Sequence, residues 1–255
     1  MQKSLLLAIG LFALACNNKR AGSNSDSTNN TTGTHQMTKL TGTFQGTIPC
    51  ADCPGINYQI TLFDDHTFSE LTSYQAKGMN VEGIPMNVAN VENGTWKQLS
   101  DSTIMIQRKA DNASFLAEDG HLLLLDPKGR RIEGVLAGNY VLNPVEGGDR
   151  RTLFAQKRQQ GINFTANGNE PGWALDIDHK QIYFHTINGD SIKTALPSPQ
   201  PNSDSLKVYT TKNITVSIRN TLCTDDMSGL MRPNTVQITY KGKTYRGCGE
   251  YLQVK

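Results

Sequence analysis

Pro49-Cys50-Ala51-Asp52-Cys53-Pro54-Gly55 places two thiols three residues apart, a spacing open to several chemistries. A thioredoxin-like dithiol needs its first cysteine at a helix N-terminus, where the dipole lowers the thiol pKa. Here Pro54-Gly55 and then a strand pattern follow, which argues against it. A zinc centre needs two further ligands, and no second Cys-x-x-Cys or suitably spaced His pair exists. Two thiolates form a soft donor set suited to Cu(I), with Met79 or Met86 as a supporting thioether. A disulfide that pins the loop needs nothing more and is the default in an oxidising compartment.

A second group of reactive residue types lies toward the C-terminus. It comprises Gly168-Asn169-Glu170-Pro171-Gly172-Trp173, Cys223-Thr224-Asp225-Asp226-Met227-Ser228-Gly229 and Tyr245-Arg246-Gly247-Cys248-Gly249. Glu170, Asp225 and Asp226, gathered with Ser228 and Arg246, would make a paired-carboxylate hydrolase conceivable. The same residue types are what turns and capped loops require, and that reading carries more weight. A bond between Cys223 and Cys248 would close a loop of about 25 residues, worth roughly 3 kcal/mol. The five histidines (35, 66, 121, 179 and 185) do not cluster. Gly-x-Ser-x-Gly and Walker-type loops are absent. No catalytic constellation emerges, and the chain reads as a non-enzyme.

The N-terminus indicates the compartment. Met1-Gln2-Lys3 carries a positive charge, Leu5 to Ala15 is apolar apart from Gly10, and Cys16 follows at once. This is the layout of a secretory signal, too short for a transmembrane helix. Leu14-Ala15-Cys16 resembles a lipobox, with Ala13 where Leu is usual, so Cys16 is the expected lipid-attachment residue. Several acyl chains on one residue would hold the protein at a membrane. Export favours disulfides. Cys50, Cys53, Cys223 and Cys248 allow three pairings, and their spacing favours 50–53 with 223–248.

These residues need elements to position them. The 255 residues carry a net charge of +2, and mean hydropathy is −0.44. Lys3, Lys19 and Arg20 against Asp26 account for the excess, so charge balances from Lys39 onward. A balanced body has no electrostatic footprint for nucleic acid. Residues 16–38 are Asn, Ser, Thr and Gly with little apolar content, the composition of a flexible tether. Beyond it, Tyr58, Ile60 and Leu62 alternate with polar residues, and Ile104 and Ile106 flank Met105, a period of two. Phe68 and Leu71 follow the turn Asp64-Asp65-His66. Glu118-Asp119-Gly120, Asp126-Pro127-Lys128-Gly129 and Lys241-Gly242 are turn signals. No window reads as a convincing amphipathic helix. The fold class is therefore all-β: an antiparallel barrel over 39–143, a polar linker over 144–161 and a second small β module over 162–255. Trp96 and Trp173 are the expected core anchors.

Gly46-Thr47-Ile48-Pro49-Cys50-Ala51-Asp52-Cys53-Pro54-Gly55-Ile56 resembles the signature of NlpE-type envelope lipoproteins. Asn93-Gly94-Thr95-Trp96, Leu124-Leu125-Asp126 and Ile132-Glu133-Gly134-Val135-Leu136-Ala137 follow at similar spacing, so the likeness covers about residues 40–142. The resemblance implies a lipocalin-like barrel on an outer-membrane lipoprotein, linked to copper resistance and to adhesion and envelope-stress sensing through a sensor protein. Copper is thereby the candidate cofactor, on Cys50 and Cys53. The best-known members carry a different, OB-like C-terminal domain. Residues 162–255 instead resemble an uncharacterised envelope family with no activity to transfer. The rival reading is a binding module, with a small apolar ligand in the barrel mouth or a protein held by the C-terminal module, as lysozyme inhibitors do.

Overall fold

The computed structural model describes residues 40–75 and 87–252. The signal segment, Cys16, the tether, His35, Met79 and Met86 lie outside them. Eight strands form a closed antiparallel barrel: β1 (Gly42–Ile48), β2 (Ile56–Leu62), β3 (Thr67–Tyr74), β4 (Asn90–Gln98), β5 (Thr103–Gln107), β6 (Asn112–Glu118), β7 (His121–Leu124) and β8 (Val141–Val145). Period-two alternation sends every second side chain inward. Ile60, Ile104, Ile106, Phe115, Leu122 and Leu142 lose all solvent contact there, and Trp96 donates Nε1–H to Phe63 O at 2.9 Å. Closure comes from β1, which pairs with β2 along its whole length and with β8 through Thr43↔Val145. This removes both sheet edges. Asp119-Gly120 turns β6 into β7 with both residues at positive φ, as a type I′ hairpin requires.

The second module is one eight-stranded sheet in the order β12-β11-β10-β9-β18-β17-β14-β13. Its strands are β9 (Phe164–Asn169), β10 (Gly172–Ile177), β11 (Gln181–Thr186), β12 (Ser191–Ala195), β13 (Leu206–Thr210), β14 (Ile214–Arg219), β17 (Asn234–Tyr240) and β18 (Lys243–Tyr251). The short strands β15 (Cys223–Thr224) and β16 (Met231–Arg232) pair separately. The sheet curls around its own core, where Phe184 meets Tyr240 and Tyr245 edge-on, with ring centroids 5.4 and 5.2 Å away. The outer edge of β13 is covered by the loop before it: Gln200 N–H donates to Val208 O (2.7 Å) and Val208 N–H to Pro201 O (3.3 Å).

Two expectations need correction. The barrel ladder runs to Val145, into the segment read as linker. That segment also holds a helix, α1 (Arg151–Gln159), where none was expected. It buries no residue, and its apolar residues are the consecutive Leu153, Phe154 and Ala155, which do not recur at the three- and four-residue spacing that marks an amphipathic helix. Polar contacts hold it instead. Lys157 Nζ donates to both Asp176 oxygens (2.6 and 2.7 Å), and Arg158 donates to Leu252 O (3.1 Å). Arg151 reaches the barrel, bonding Asp64 (3.0 Å) and Asp65 (2.6 Å) with its guanidinium 3.9 Å over the Phe63 ring.

Candidate functional site

Cys50 and Cys53 occupy the β1–β2 loop at one end of the barrel. They are bonded to each other, with Cα atoms 5.3 Å apart. Both are half-buried, while Ala51, Asp52 and Pro54 are exposed. The loop folds back on the strands: Gln75 N–H donates to Gly55 O at 2.9 Å. Opening the bond would present two soft thiolates on a loop open to solvent, a donor set that fits Cu(I). Met79 and Met86, the suggested helpers, lie outside the described residues. Among the described residues no group of three or more His, Cys, Asp or Glu could hold a metal ion.

The same half of the barrel holds an ionic network that the sequence reading missed. Arg108 bonds Glu70 through two nitrogens (2.8 and 2.7 Å), Tyr58 Oη through one (2.9 Å) and Asp111 (3.2 Å). Tyr58 Oη also donates to Glu70. Glu70 is 4% exposed. Burial, reinforced by the Glu70 charge, pushes the Tyr58 phenol well above its ordinary value. One signal was available in the sequence: Glu70 stands two residues after Phe68, at an inward position of the alternation. Its partner Arg108 is 38 residues away and has no sequence signature.

The C-terminal constellation does come together, but as a structural joint. Cys223 and Cys248 are bonded, with Cα atoms 5.4 Å apart. Trp173 donates to Arg246 O at 3.1 Å across Gly168. A Cβ on Gly168 would lie 2.3 Å from that oxygen and from Trp173 Nε1, so only glycine fits. Asp225 Oδ1 accepts the Met227 N–H (3.1 Å), the Ser228 N–H (2.8 Å) and the Ser228 hydroxyl (2.9 Å). Its Oδ2 takes the Asn167 amide at 3.4 Å. Burial alone would raise the Asp225 carboxyl, yet these donors, led by Ser228, hold it below the ordinary carboxylate value. Asp226 is taken by Asn169, while Glu170 is exposed at the β9–β10 turn. The carboxylates are not paired for acid–base work. Asp225 caps a loop.

That loop seats the second module on the outer face of the barrel. Gln59 exchanges two hydrogen bonds with Met231: its amide donates to the carbonyl (3.2 Å) and its oxygen accepts from the N–H (2.8 Å). Gln45 donates to Gly229 O at 3.1 Å. Leu222 N–H donates to Asn87 O at 2.8 Å. Arg232, 3% exposed, ties the loop's far end to Glu250 (2.9 Å) and to Thr165 O (3.3 Å). An Asp225→Ala change should therefore cost about 1–2 kcal/mol and speed hydrogen exchange at residues 222–231. Because its folded-state pKa is depressed, the Asp225 contribution is present at neutral pH and lost as pH falls below about 4. Exchange rates in the loop that match wild type would contradict this role. Among the described residues the histidines join no group that could hold a metal ion; His66 packs tilted against Trp96 with ring centroids 4.6 Å apart.

The family model described as the NlpE N-terminal domain matches residues 44–135. Lipoprotein NlpE of Escherichia coli (strain K12) is 26% identical over 111 residues, which is 44% of this chain and 44% of that protein. The match thus spans less than half of that relative. Among solved structures, a putative lipoprotein from Shewanella oneidensis is 30% identical, covering 42% of this chain and 90% of that one, with a TM-score of 0.36. The Cpx pathway activator NlpE from Escherichia coli is 15% identical, covering 82% and 94%, with a TM-score of 0.30. The barrel that carries Cys50 and Cys53 is an NlpE-type N-terminal module.

Proposed function

We propose that this chain is a non-enzymatic envelope lipoprotein, anchored through Cys16 at the outer membrane, that handles copper or senses envelope stress through Cys50 and Cys53. The observation that carries this reading is the half-buried Cys50–Cys53 clasp, set in a loop whose residues Ala51, Asp52 and Pro54 are exposed, on an NlpE-type barrel. Reduction of the disulfide by thiol–disulfide exchange with an external dithiol, which is itself oxidised to a disulfide and gives up its two protons, yields two thiols. Cu(I) would displace the protons and bind the two sulfurs. In a stress-sensing role the same dithiol–disulfide exchange would alter the loop offered to an envelope stress-sensor protein. The rival of an apolar ligand inside the barrel loses ground, because the chain's own side chains, Phe44, Phe68, Trp96 and Phe115 among them, are buried in that interior.

Anaerobic Cu(I) titration of the reduced chain, beside a Cys50→Ser/Cys53→Ser variant, tests the copper reading. The expected result is binding near one equivalent that the double variant loses. Equal binding by both proteins would remove copper from the account and leave a structural or redox clasp. Mass spectrometry of the envelope-extracted protein, with Cys16→Ser as control, tests the anchor.

A further inference from the structure

The curled sheet of the second module leaves a seam between its outermost strands, and one end of that seam is a cavity. Hairpin turns at 187–190, 211–213 and 241–242 all fall at this end of the sheet. Tyr240 bridges the seam by donating to Ser191 O of β12 at 3.2 Å. Beside that bridge the surface hollows into a cavity of about 470 Å³, within the range of small-molecule sites, which often lie in the mouths of β-barrels. Its floor is apolar, formed by Ile192 and by the buried Ile214 and Tyr240. Its rim carries Lys212 and Lys241.

The two lysines are in different states. Lys241 is held in place: its Nζ is 2.5 Å from Asp190 Oδ1 and 5.3 Å from the centroid of the Tyr240 ring. An ammonium has three donors, so Asp190 leaves Lys241 with capacity. Lys212, which also lines the cavity, has no acidic partner among the described residues. Cationic groups on a concave, partly apolar wall concentrate counter-charge. We propose that this cavity binds a small amphiphilic anion, with its carboxylate or phosphate between Lys212 and Lys241 and its hydrocarbon part on Ile192, Ile214 and Tyr240. The site is separate from Cys50 and Cys53 and requires neither copper nor stress signalling.

Octanoate, octyl phosphate and octanol share a tail and differ in head charge, so they separate this idea from a merely apolar groove. Titrated into the 15N-labelled chain made soluble by Cys16→Ser, either anion should produce saturable shifts at the amides of Lys212, Asn213, Lys241 and Gly242. Octanol should bind roughly tenfold more weakly, and so should the anions to a Lys212→Glu variant, as expected for one lost charge contact. Lys212 is exposed on a turn, so an unchanged thermal midpoint will show that the variant folds. Absence of saturable shifts, equal binding of octanol, or undiminished binding by Lys212→Glu would overturn the proposal. Co-sedimentation with phosphatidylglycerol vesicles that Lys212→Glu abolishes would make a membrane lipid the source of the anion. Anion binding without co-sedimentation would point to a free amphiphile.

Discussion

Arg108→Ala should destabilise the protein by about 3 kcal/mol, the lower end of what breaking a buried ion pair costs. The loss comes less from the missing bonds than from what is left behind. Glu70, 4% exposed, would be left inside the barrel without the guanidinium that now bonds both of its oxygens. Arg108 is 17% exposed, so water can reach part of the vacated space, which keeps the figure at the lower end. Removing charge from both partners should cost far less, because no unpaired ion remains: Arg108→Leu with Glu70→Leu is expected to recover most of the loss. Urea unfolding of the wild type, Arg108→Leu, Glu70→Leu and the double variant provides the measurement. A double variant as unstable as the sum of the singles would mean that the two side chains act separately. Tyr58 adds a pH signature. Its raised pKa means that its contribution is complete below pH 10 and declines as pH rises beyond it.

Cys223→Ser with Cys248→Ser should cost a similar amount, about 3 kcal/mol, for a different reason. The bond joins residues 25 apart, and releasing it returns loop entropy to the unfolded chain. The folded state should also respond locally. The released segment holds the contacts from Gln45, Gln59 and Asn87, so hydrogen exchange should rise most at residues 222–231. Cys50→Ser with Cys53→Ser opens a bond between residues only three apart, and the same entropy relation assigns it a smaller loss. Thermal and urea unfolding of the two double variants side by side checks the ranking. A larger loss at 50–53 would mean that this clasp, and not the 223–248 bond, carries the structural load.

Much of the architecture was legible in the residues. The alternation at Tyr58-Ile60-Leu62 and at Ile104-Ile106 marks strands because inward side chains must be apolar, and these residues are buried in the barrel. Asp119-Gly120 and Lys241-Gly242 mark hairpins because positive φ at both turn positions narrows the choice of residue. The NlpE-like run from Gly46 to Ile56 identified the module and its cysteine loop. Such information is local, since it concerns neighbours in the chain and backbone conformations.

Only tertiary structure decided what depends on distant residues. The pairing of β1 with β8 and of β9 with β18 joins segments about 80 or more residues apart, and alternation specifies a strand's inner face but not its neighbour. The helix at 151–159 is held by bonds to Asp64, Asp65, Asp176 and Leu252 O, which no periodicity within its own residues encodes. Asp225 has the residue type of a catalytic acid and the position of a loop cap, and its donors show the difference. Glu70 could be noticed in the sequence as a charge where an apolar residue belongs. Its tolerance depends on Arg108, which meets it from the end of β5, because a buried carboxylate is stable only with its counter-charge.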